Sequence, residues 1–583
     1  MKILGIHPTH TATVALMEDG KLLGMISEER LNRIKEWHGI PKRAVSKLLK
    51  INNLEPGQID LVAINGLSPT SNASDFMNES FSLQMAGFNL FKAVVPHSWI
   101  KKNWWVKSAV SLTHKLRNKK EIYSYFEGIG IGKDKIIFVD HHTCHLHTCF
   151  LNPEGRTNDM LILTLDAAGD GHCGSVSVVK NNKLIVIDRM NLYNSLGFLF
   201  SRMTQYLNMK PLSHEYKVMG LAAYSKDKES EEVYKILRSK FLDIDKKNPL
   251  RFENLSGAVN WEYLDEFDKY FKKTRFDNLA GGVQKLVETL VTEWVLNCVK
   301  KTGIKKVFCA GGIFMNVKTN MLLAYRKEID ELFIVPSCGD ESCSMGAAMY
   351  AYRKHCKKNG VLFKPNKLED IYFGNDNSTE DILQAAEKYK GQILLKKVKN
   401  INKFVADLLT KGEIVARCSG RMEFGARALG NRSILAHPNK TGVVREINEA
   451  IKQRDFWMPF ACTVLDKYQE EYLINPKKIQ SSHMMISLHT TKKAHEHLIN
   501  GMHQYDLTAR PQILKKSHNP DYYEIIEEFR KRTGIGGLLN TSFNIHGEPI
   551  VSTPSDAIST LLRSGLKHLI IEDYYITKKG NII

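Results

Sequence analysis

The sequence predicts an α/β protein of two domains, on three observations. Strand-like apolar runs alternate with helix-like periodic stretches along the whole chain. Its 583 residues exceed what one hydrophobic core organises, so two domains of roughly 200 to 350 residues are expected. The apolar pattern breaks in KKNGVLFKPNKLED at 357–370. That break marks a linker and sets the domains at 1–360 and 371–583.

Each element follows from local pattern. Residues 1–30 read as strand, turn, strand, with Glu18-Asp19-Gly20 as the hairpin turn. Residues 41–51 have helical spacing, and LVAIN at 61–65 reads as a buried strand. Strands recur at 136–139, 160–166, 174–179 and 306–309, with helices at 198–208, 281–300 and 343–356. In the second segment IVARC, SILAH, GGLLN and LIIED are strand-like, while 444–452, 521–532 and 555–564 are helix-like. No internal repeat is visible in the sequence.

Composition narrows the class. Apolar residues at 43% and charged residues at 25% fit a soluble globular enzyme. No apolar run approaches the ~20 residues that span a bilayer, and the N-terminus reads as strand and hairpin, not as a signal peptide. A cytoplasmic protein without a membrane partner is expected. None of the ten cysteines lies in a C-x-x-C pair, which favours free thiols over a cysteine zinc site. Lys and Arg number 82 against 63 Asp and Glu, a net charge of +19. Such a cationic field attracts polyanions. The stretch 81–120 carries eight Lys or Arg and no acid, interleaved with Trp99, Trp104 and Trp105. Cations among aromatics suit phosphate contact and base stacking; the pattern alone favours an amphipathic helical insert with core tryptophans.

Four constellations carry chemistry. In DHHTCHLH at 140–147, His141 and His145 are four apart, which on a helix places both imidazoles on one face, close enough to share a metal. LTLDAAGDG (163–171), CAGGIFMN (309–316) and SCGDESCSMGAA (337–348) are glycine-rich turns after strands, where backbone amides can face phosphate oxygens. Arg421, Arg427, Arg432, Lys452 and Arg454 crowd into two short segments among glycines and apolar residues. They need anionic partners, either a ligand or Glu423, Glu446 and Asp455. LLNTSFNIHGEPIVSTPSDA at 538–557 is dense in Asn, Thr and Ser donors and acceptors.

Together these segments resemble the carbamoyltransferases of nodulation-factor and antibiotic biosynthesis, the tobramycin carbamoyltransferase type. The markers are EERLNRIK (28–35), HHTCH (141–145), EYKVMGLAAY (215–224), AGGIFMN (310–316), GRMEFGARALGNRSIL (420–435), LTARPQ (507–512) and NTSFNIHGEPIVSTP (540–554). The resemblance covers nearly the whole chain. It implies an N-terminal domain with the actin-like ATPase fold, close to the TsaD-like domain, and a C-terminal YrdC-like α/β domain. It implies that the C-terminal domain makes carbamoyl-adenylate from carbamoyl phosphate and ATP with Mg²⁺, and that the N-terminal domain transfers the carbamoyl group to a hydroxyl. A divalent metal, Fe²⁺ by expectation, would be held by His141, His145 and Asp340. Glu215, Lys217, Gly220, Gly311, Gly312 and Asn316 would line the N-terminal nucleotide cleft. Arg421, Arg432, Lys452 and Arg454 would hold the anionic groups of carbamoyl phosphate and ATP, with Arg510, Asn540, Ser542 and Asn544 completing that pocket.

Two positions depart from the family. A His-Asp pair usually ends the first strand, and here it is His10-Thr11. Threonine is no base at neutral pH, so His10 or another group takes the role, or the acceptor needs less activation. The last motif has His546 where the family usually has arginine. The expected acceptor is a nucleic-acid base such as 5-hydroxymethylcytosine in DNA, on the strength of the charge. The alternatives are a small-molecule or sugar hydroxyl and, from another class, a non-catalytic nucleotide-binding module. A homodimer is the expected assembly.

Overall fold

The computed structural model describes residues 1–67, 119–258 and 262–580; most of the basic 81–120 stretch lies outside them. The described chain falls into two compact units, 1–148 with 340–366, and 149–339 with 367–583.

The first unit is built on strands β1 Lys2–His7, β2 Thr13–Glu18, β3 Lys21–Ser27, β4 Leu61–Asn65 and β5 Ile136–Val139, in the order β3-β2-β1-β4-β5. The β2–β3 turn is set by Asp19 and Gly20, both at positive φ (47° and 82°), the geometry that tight hairpins require. The 2–18 segment is two antiparallel strands, not one: β1 pairs β2 from Lys2↔Glu18 to His7↔Thr13, across a bend where Thr11 takes φ 58°. Strands β1, β4 and β5 are parallel. Alternation decides the faces. Leu4, Ile6, Val62 and Ile64 pack against Ala44, Val45, Leu48 and Leu49 of the Lys42–Ile51 helix. Each such fully buried aliphatic side chain contributes roughly 1.5–3 kcal/mol. On the other face lies the Cys343–Lys358 helix, admitted by Gly5, where a Cβ would collide with the Ser344 carbonyl.

The second unit contains β6 Met160–Gly169, β7 His172–Lys180, β8 Lys183–Asn191, a short pair β9 Leu242–Ile244 and β10 Phe252–Asn254, and β11 Lys306–Ala310 and β12 Glu331–Ile334. The main sheet runs β12-β11-β6-β7-β8, with β6, β11 and β12 parallel and β6, β7 and β8 joined as antiparallel hairpins. Counting β6 as first, this is the order and direction pattern of the β3-β2-β1-β4-β5 sheet again. The chain therefore carries a topological duplication that its sequence does not display, and this duplication is the hallmark of the actin-like fold. The 27-residue Phe276–Thr302 helix, ended by Gly303 in the left-handed region, completes this half.

The C-terminal residues of the same unit form an eight-stranded mixed sheet. Its strands are β13 Ile393–Lys397, β14 Val415–Cys418, β15 Arg432–Ala436, β16 Ala461–Leu465, β19 Gln512–Leu514, β20 Gly537–Ser542, β21 His568–Ile571 and β22 Tyr574–Lys578. A small pair, β17 Leu473–Ile474 and β18 His489–Thr490, stands apart. The order is β13-β22-β21-β14-β15-β20-β16-β19. One apolar core includes Ala416, Ile434, Leu539, Ile558, Leu561 and Leu569. Between the helix end at Lys358 and the Thr379–Lys388 helix there is no regular secondary structure. No helix among the described residues is long and apolar enough to cross a membrane.

Gly5→Ala should destabilise the first unit by about 1–3 kcal/mol, because its methyl meets main chain that cannot rotate away. Urea denaturation should show a lowered midpoint with unchanged slope.

Candidate metal centre and anion site

The three parallel strands of the first unit end together. β1 stops at His7, β4 at Asn65 and β5 at Val139, and ligands of open α/β sheets gather at such carboxyl ends. Directly after β5 the His141–Thr148 helix begins. Asp140 caps it, its Oδ1 accepting from Thr143 N (2.8 Å) and Thr143 Oγ1 (2.7 Å). The i,i+4 spacing then sets His141 Nε2 3.1 Å from His145 Nε2. Asp340 Oδ1 lies 3.5 Å from each of these nitrogens. Two ligands about 2.1 Å from one ion lie about 3.0 Å apart at a right angle and about 3.4 Å apart at the tetrahedral angle. The three donors are thus spaced as ligands of one ion, and the residues fit a divalent metal.

Packing brings the two halves of this cluster together. A Cβ on Gly346 would collide with the Cys144 carbonyl, so only glycine lets the Cys343–Lys358 helix approach the His141–Thr148 helix. Thr13 Oγ1 and Ser344 Oγ donate to the Glu341 carbonyl at 2.8 and 3.1 Å, which fixes the turn that carries Asp340. The Asn65 carboxamide lies between His7 Nδ1 (2.7 Å) and His141 Nδ1 (3.3 Å). Its oxygen and nitrogen ends are isosteric. With its nitrogen inward it donates to His7 Nδ1, the arrangement that a neutral His7 with its Nε2–H on the His10 carbonyl requires. Burial, against the pull of Asp340, lowers the His7 pKa to about 4, and His7 Nε2 meets the His10 carbonyl at 2.8 Å. The imidazole of His10 has no hydrogen-bond partner among the described residues.

The glycine turns of the second unit meet one another. Gly312 N donates to Asp166 Oδ2 (3.0 Å) and Gly311 N to the Cys338 carbonyl (2.9 Å). Gly311 sits at φ 105°, and a Cβ there would collide with the Leu165 carbonyl. Asn316 caps the Val317–Tyr325 helix through Thr319 N (3.1 Å) and pairs reciprocally with Gln284. Glu215, Lys217 and Gly220 lie on the Glu215–Ala222 helix. There Glu215 Oε1 accepts from Leu212 N at 2.6 Å. Lys217 Nζ pairs with Asp455 at 3.0 Å, and the Gly220 carbonyl accepts from His503 Nε2 at 3.0 Å. Lys217 and Gly220 thus contact the 455–503 side.

The arginines of the second unit separate into two groups. Arg417 and Arg432 build the sheet. Arg432 is fully buried and donates to the carbonyls of Gly420, Asn431, Asn375 and Ser552. The buried Glu423 Oε1 accepts three backbone amides, Leu429 N, Asn431 N and Arg432 N, and so shapes the 420–432 loop. Arg421 donates to the carbonyls of Phe373 and Gly374. The second group converges. Burial, with Arg427 beside it, lowers Arg454 to about 10, and burial with Arg427 and Arg454 nearby drives Arg510 well below the usual arginine value. Arg510 makes no hydrogen bond or ion pair among the described residues, and its Nε is enclosed. Arg454 reaches Thr541 Oγ1 at 3.0 Å and stacks on Phe460 at 4.9 Å. Lys452 Nζ donates to Ser542 Oγ (3.0 Å) and Asn544 Oδ1 (2.8 Å). Asn540 donates to the Ala428 carbonyl at 3.2 Å, and its Oδ1 is buried without a partner. Three guanidiniums that influence one another in this way have the chemistry to receive a multiply charged anion. Of the acids that could have neutralised them, Glu423 is held by amides and Asp455 by Lys217.

Sequence reasoning missed His7, Asn65, Asp166 and Cys343. His7 and Asn65 carried one signal, a polar residue ending an apolar strand. Arg432 and Arg510 look alike in sequence, because what separates them is the supply of main-chain carbonyls.

Comparison with known proteins places the chain in a family. Residues 2–349 match the family model "Carbamoyltransferase N-terminus" and 406–578 the model "Carbamoyltransferase C-terminus". The nodulation protein NolNO of Sinorhizobium fredii is 28% identical over 98% of this chain and 79% of its own length. An uncharacterized protein of Methanocaldococcus jannaschii, MJ1058, is 32% identical over 77% of this chain and 75% of its own. The 3'-hydroxymethylcephem-O-carbamoyltransferase of Amycolatopsis lactamdurans is 25% identical over 50% of this chain and 53% of its own. The fold and the family matches define a transferase. The chain belongs to the carbamoyltransferase family.

Arg510→Met should leave the thermal stability of the ligand-free protein unchanged or raised, since a buried cation without a partner costs folding energy. The same variant should lose most of the thermal shift produced by ATP or carbamoyl phosphate. A lowered ligand-free Tm with an intact shift would make Arg510 a structural residue.

Proposed function

We propose that the protein is an ATP-dependent O-carbamoyltransferase whose two half-reactions are divided between residues 371–583 and 1–360. The observation that carries the donor half is the convergence of Arg427, Arg454 and Arg510, with no acid among the described residues paired to Arg510. In that half, carbamoyl phosphate, ATP and water give carbamoyl-adenylate, phosphate and pyrophosphate. The arginines and Lys452 hold the anionic oxygens, and Mg²⁺ accompanies the nucleotide. Asn540 Oδ1, which has no protein donor, suits the carbamoyl NH₂. In the transfer half, an acceptor hydroxyl attacks the carbamoyl carbon, its proton leaves, and AMP departs. His141, His145 and Asp340 would hold a divalent ion, Fe²⁺ in our reading. Bound there, the ion supplies Lewis-acid polarisation of the carbonyl oxygen. Asn65 and His7 orient the His141 ring, and His10 is the candidate base.

The acceptor is an alcohol. The relatives' names point to a hydroxymethyl group on a small molecule or to a nodulation-related substrate, and this is the first reading. A polyanionic acceptor, such as DNA carrying 5-hydroxymethylcytosine, is favoured by the net charge of +19 and by a surface depression lined by Lys42, Arg43, Lys47 and Lys50. Incubation with carbamoyl phosphate, ATP, Mg²⁺ and Fe²⁺, followed by mass spectrometry, separates the two. A carbamoyl adduct on the DNA selects the polyanion. Pyrophosphate release with adducts only on small alcohols selects the first reading.

His141→Ala and Asp340→Ala should abolish carbamoyl transfer while pyrophosphate release stays within about twofold. Loss of both half-reactions in either variant would refute the division of labour.

A further inference from the structure

We propose that the thiolate of Cys343 is a fourth protein donor of the metal centre, making it a His₂-Asp-Cys site. This rests on the metal reading above and deepens it. The Cys343 Sγ and the ligating atoms of His141, His145 and Asp340 all lie within 4.8 Å of one another. Ligands at about 2.1 and 2.3 Å from one ion are separated by about 3.6 Å at the tetrahedral angle and about 4.4 Å when opposed, so an inward shift of about 0.4 Å at most brings every pair within the reach of a common ion. The local backbone explains the placement. Asp340–Ser342 is a 3₁₀ turn, and in that geometry side chains three apart eclipse. Asp340 and Cys343 therefore share a face, as His141 and His145 do at the four-residue spacing of an α-helix. Cys343 is fully buried and opens the 16-residue Cys343–Lys358 helix, whose first-turn amides favour an anionic donor. Its position is fixed by the same Gly5 and Gly346 contacts that close the site.

The chemistry differs from that of a His₂-Asp set. On binding, the thiol gives its proton to solvent and the sulfur forms the metal bond, so one more proton is released per ion. A soft sulfur donor turns selectivity towards Fe²⁺, Co²⁺ and Zn²⁺ and away from Mg²⁺.

Cobalt titration of the chelator-stripped full chain tests this. The wild type should develop a near-ultraviolet thiolate-to-cobalt charge-transfer band. Cys343→Ser and Cys343→Ala should lose the band and bind Co²⁺ about 10–100-fold more weakly, while Cys356→Ala, a buried cysteine of the same helix, should keep both. X-ray absorption of the loaded wild type should show a metal–sulfur distance of about 2.3 Å, a readout that needs no variant to fold. Cobalt bound by the wild type and lost in His141→Ala, but with no thiolate band and no sulfur scatterer, overturns the role of Cys343 alone. Cobalt that the wild type does not bind, or that His141→Ala binds equally, overturns the metal centre itself.

Discussion

The approach of the Cys343–Lys358 helix to the His141–Thr148 helix at Gly346 is the constraint on which the first unit's site depends. Its side chains come from segments nearly two hundred residues apart in sequence. An α-helix brings His141 and His145 together by its own period. Asp340 reaches them only because Gly346 lets one helix lie against the carbonyl of Cys144 and Gly5 lets the same helix lie on β1. Both contacts are with main chain, so they cannot relax by a rotamer change. Packing that leaves no room for a methyl group also leaves little freedom in the spacing of His141, His145 and Asp340.

The second unit solves a different problem, how to keep cations near an apolar sheet. Arg432 is made harmless by directing its donors to main-chain carbonyls, and Glu423 by accepting three amides. These groups fix the loop between β14 and β15. Arg510 receives nothing comparable, and its neighbours Arg427 and Arg454 have its own sign. Folding tolerates that repulsion because the surrounding sheet is already held by one apolar core. An anion placed among the arginines would relieve it.

Much of this was legible in the sequence. The Asp19-Gly20 turn, the buried LVAIN strand, the 42–51 helix and the paired histidines were readable because each is decided by local period and turn chemistry. The duplicated sheet was not, since strand order is set by non-local pairing that leaves no residue-level repeat. Cys343 escaped because cysteine ligands are ordinarily sought as C-x-x-C pairs, whereas here the partner at three residues' distance is an aspartate on a 3₁₀ turn. Arg510 and Arg432 could not be told apart, because charge is a property of the residue and neutralisation is a property of the fold.

The same distinction bears on the base. Three histidines could serve a hydroxyl acceptor, and their surroundings divide them. His141 presents Nε2 to the other ligands. His7 is held neutral by burial, with Nδ1 against Asn65 and Nε2 against the His10 carbonyl and Thr9. A base must have a free nitrogen and room for the proton, and His7 has neither. His10 has its main chain tied down by His7 and by Thr11 Oγ1, which donates to the same carbonyl at 2.6 Å. Its ring makes no hydrogen bond among the described residues and is only partly covered. Thr11 thus anchors the main chain of the histidine before it, and under the reading proposed above His10 is the group in the β1–β2 bend left to receive the proton.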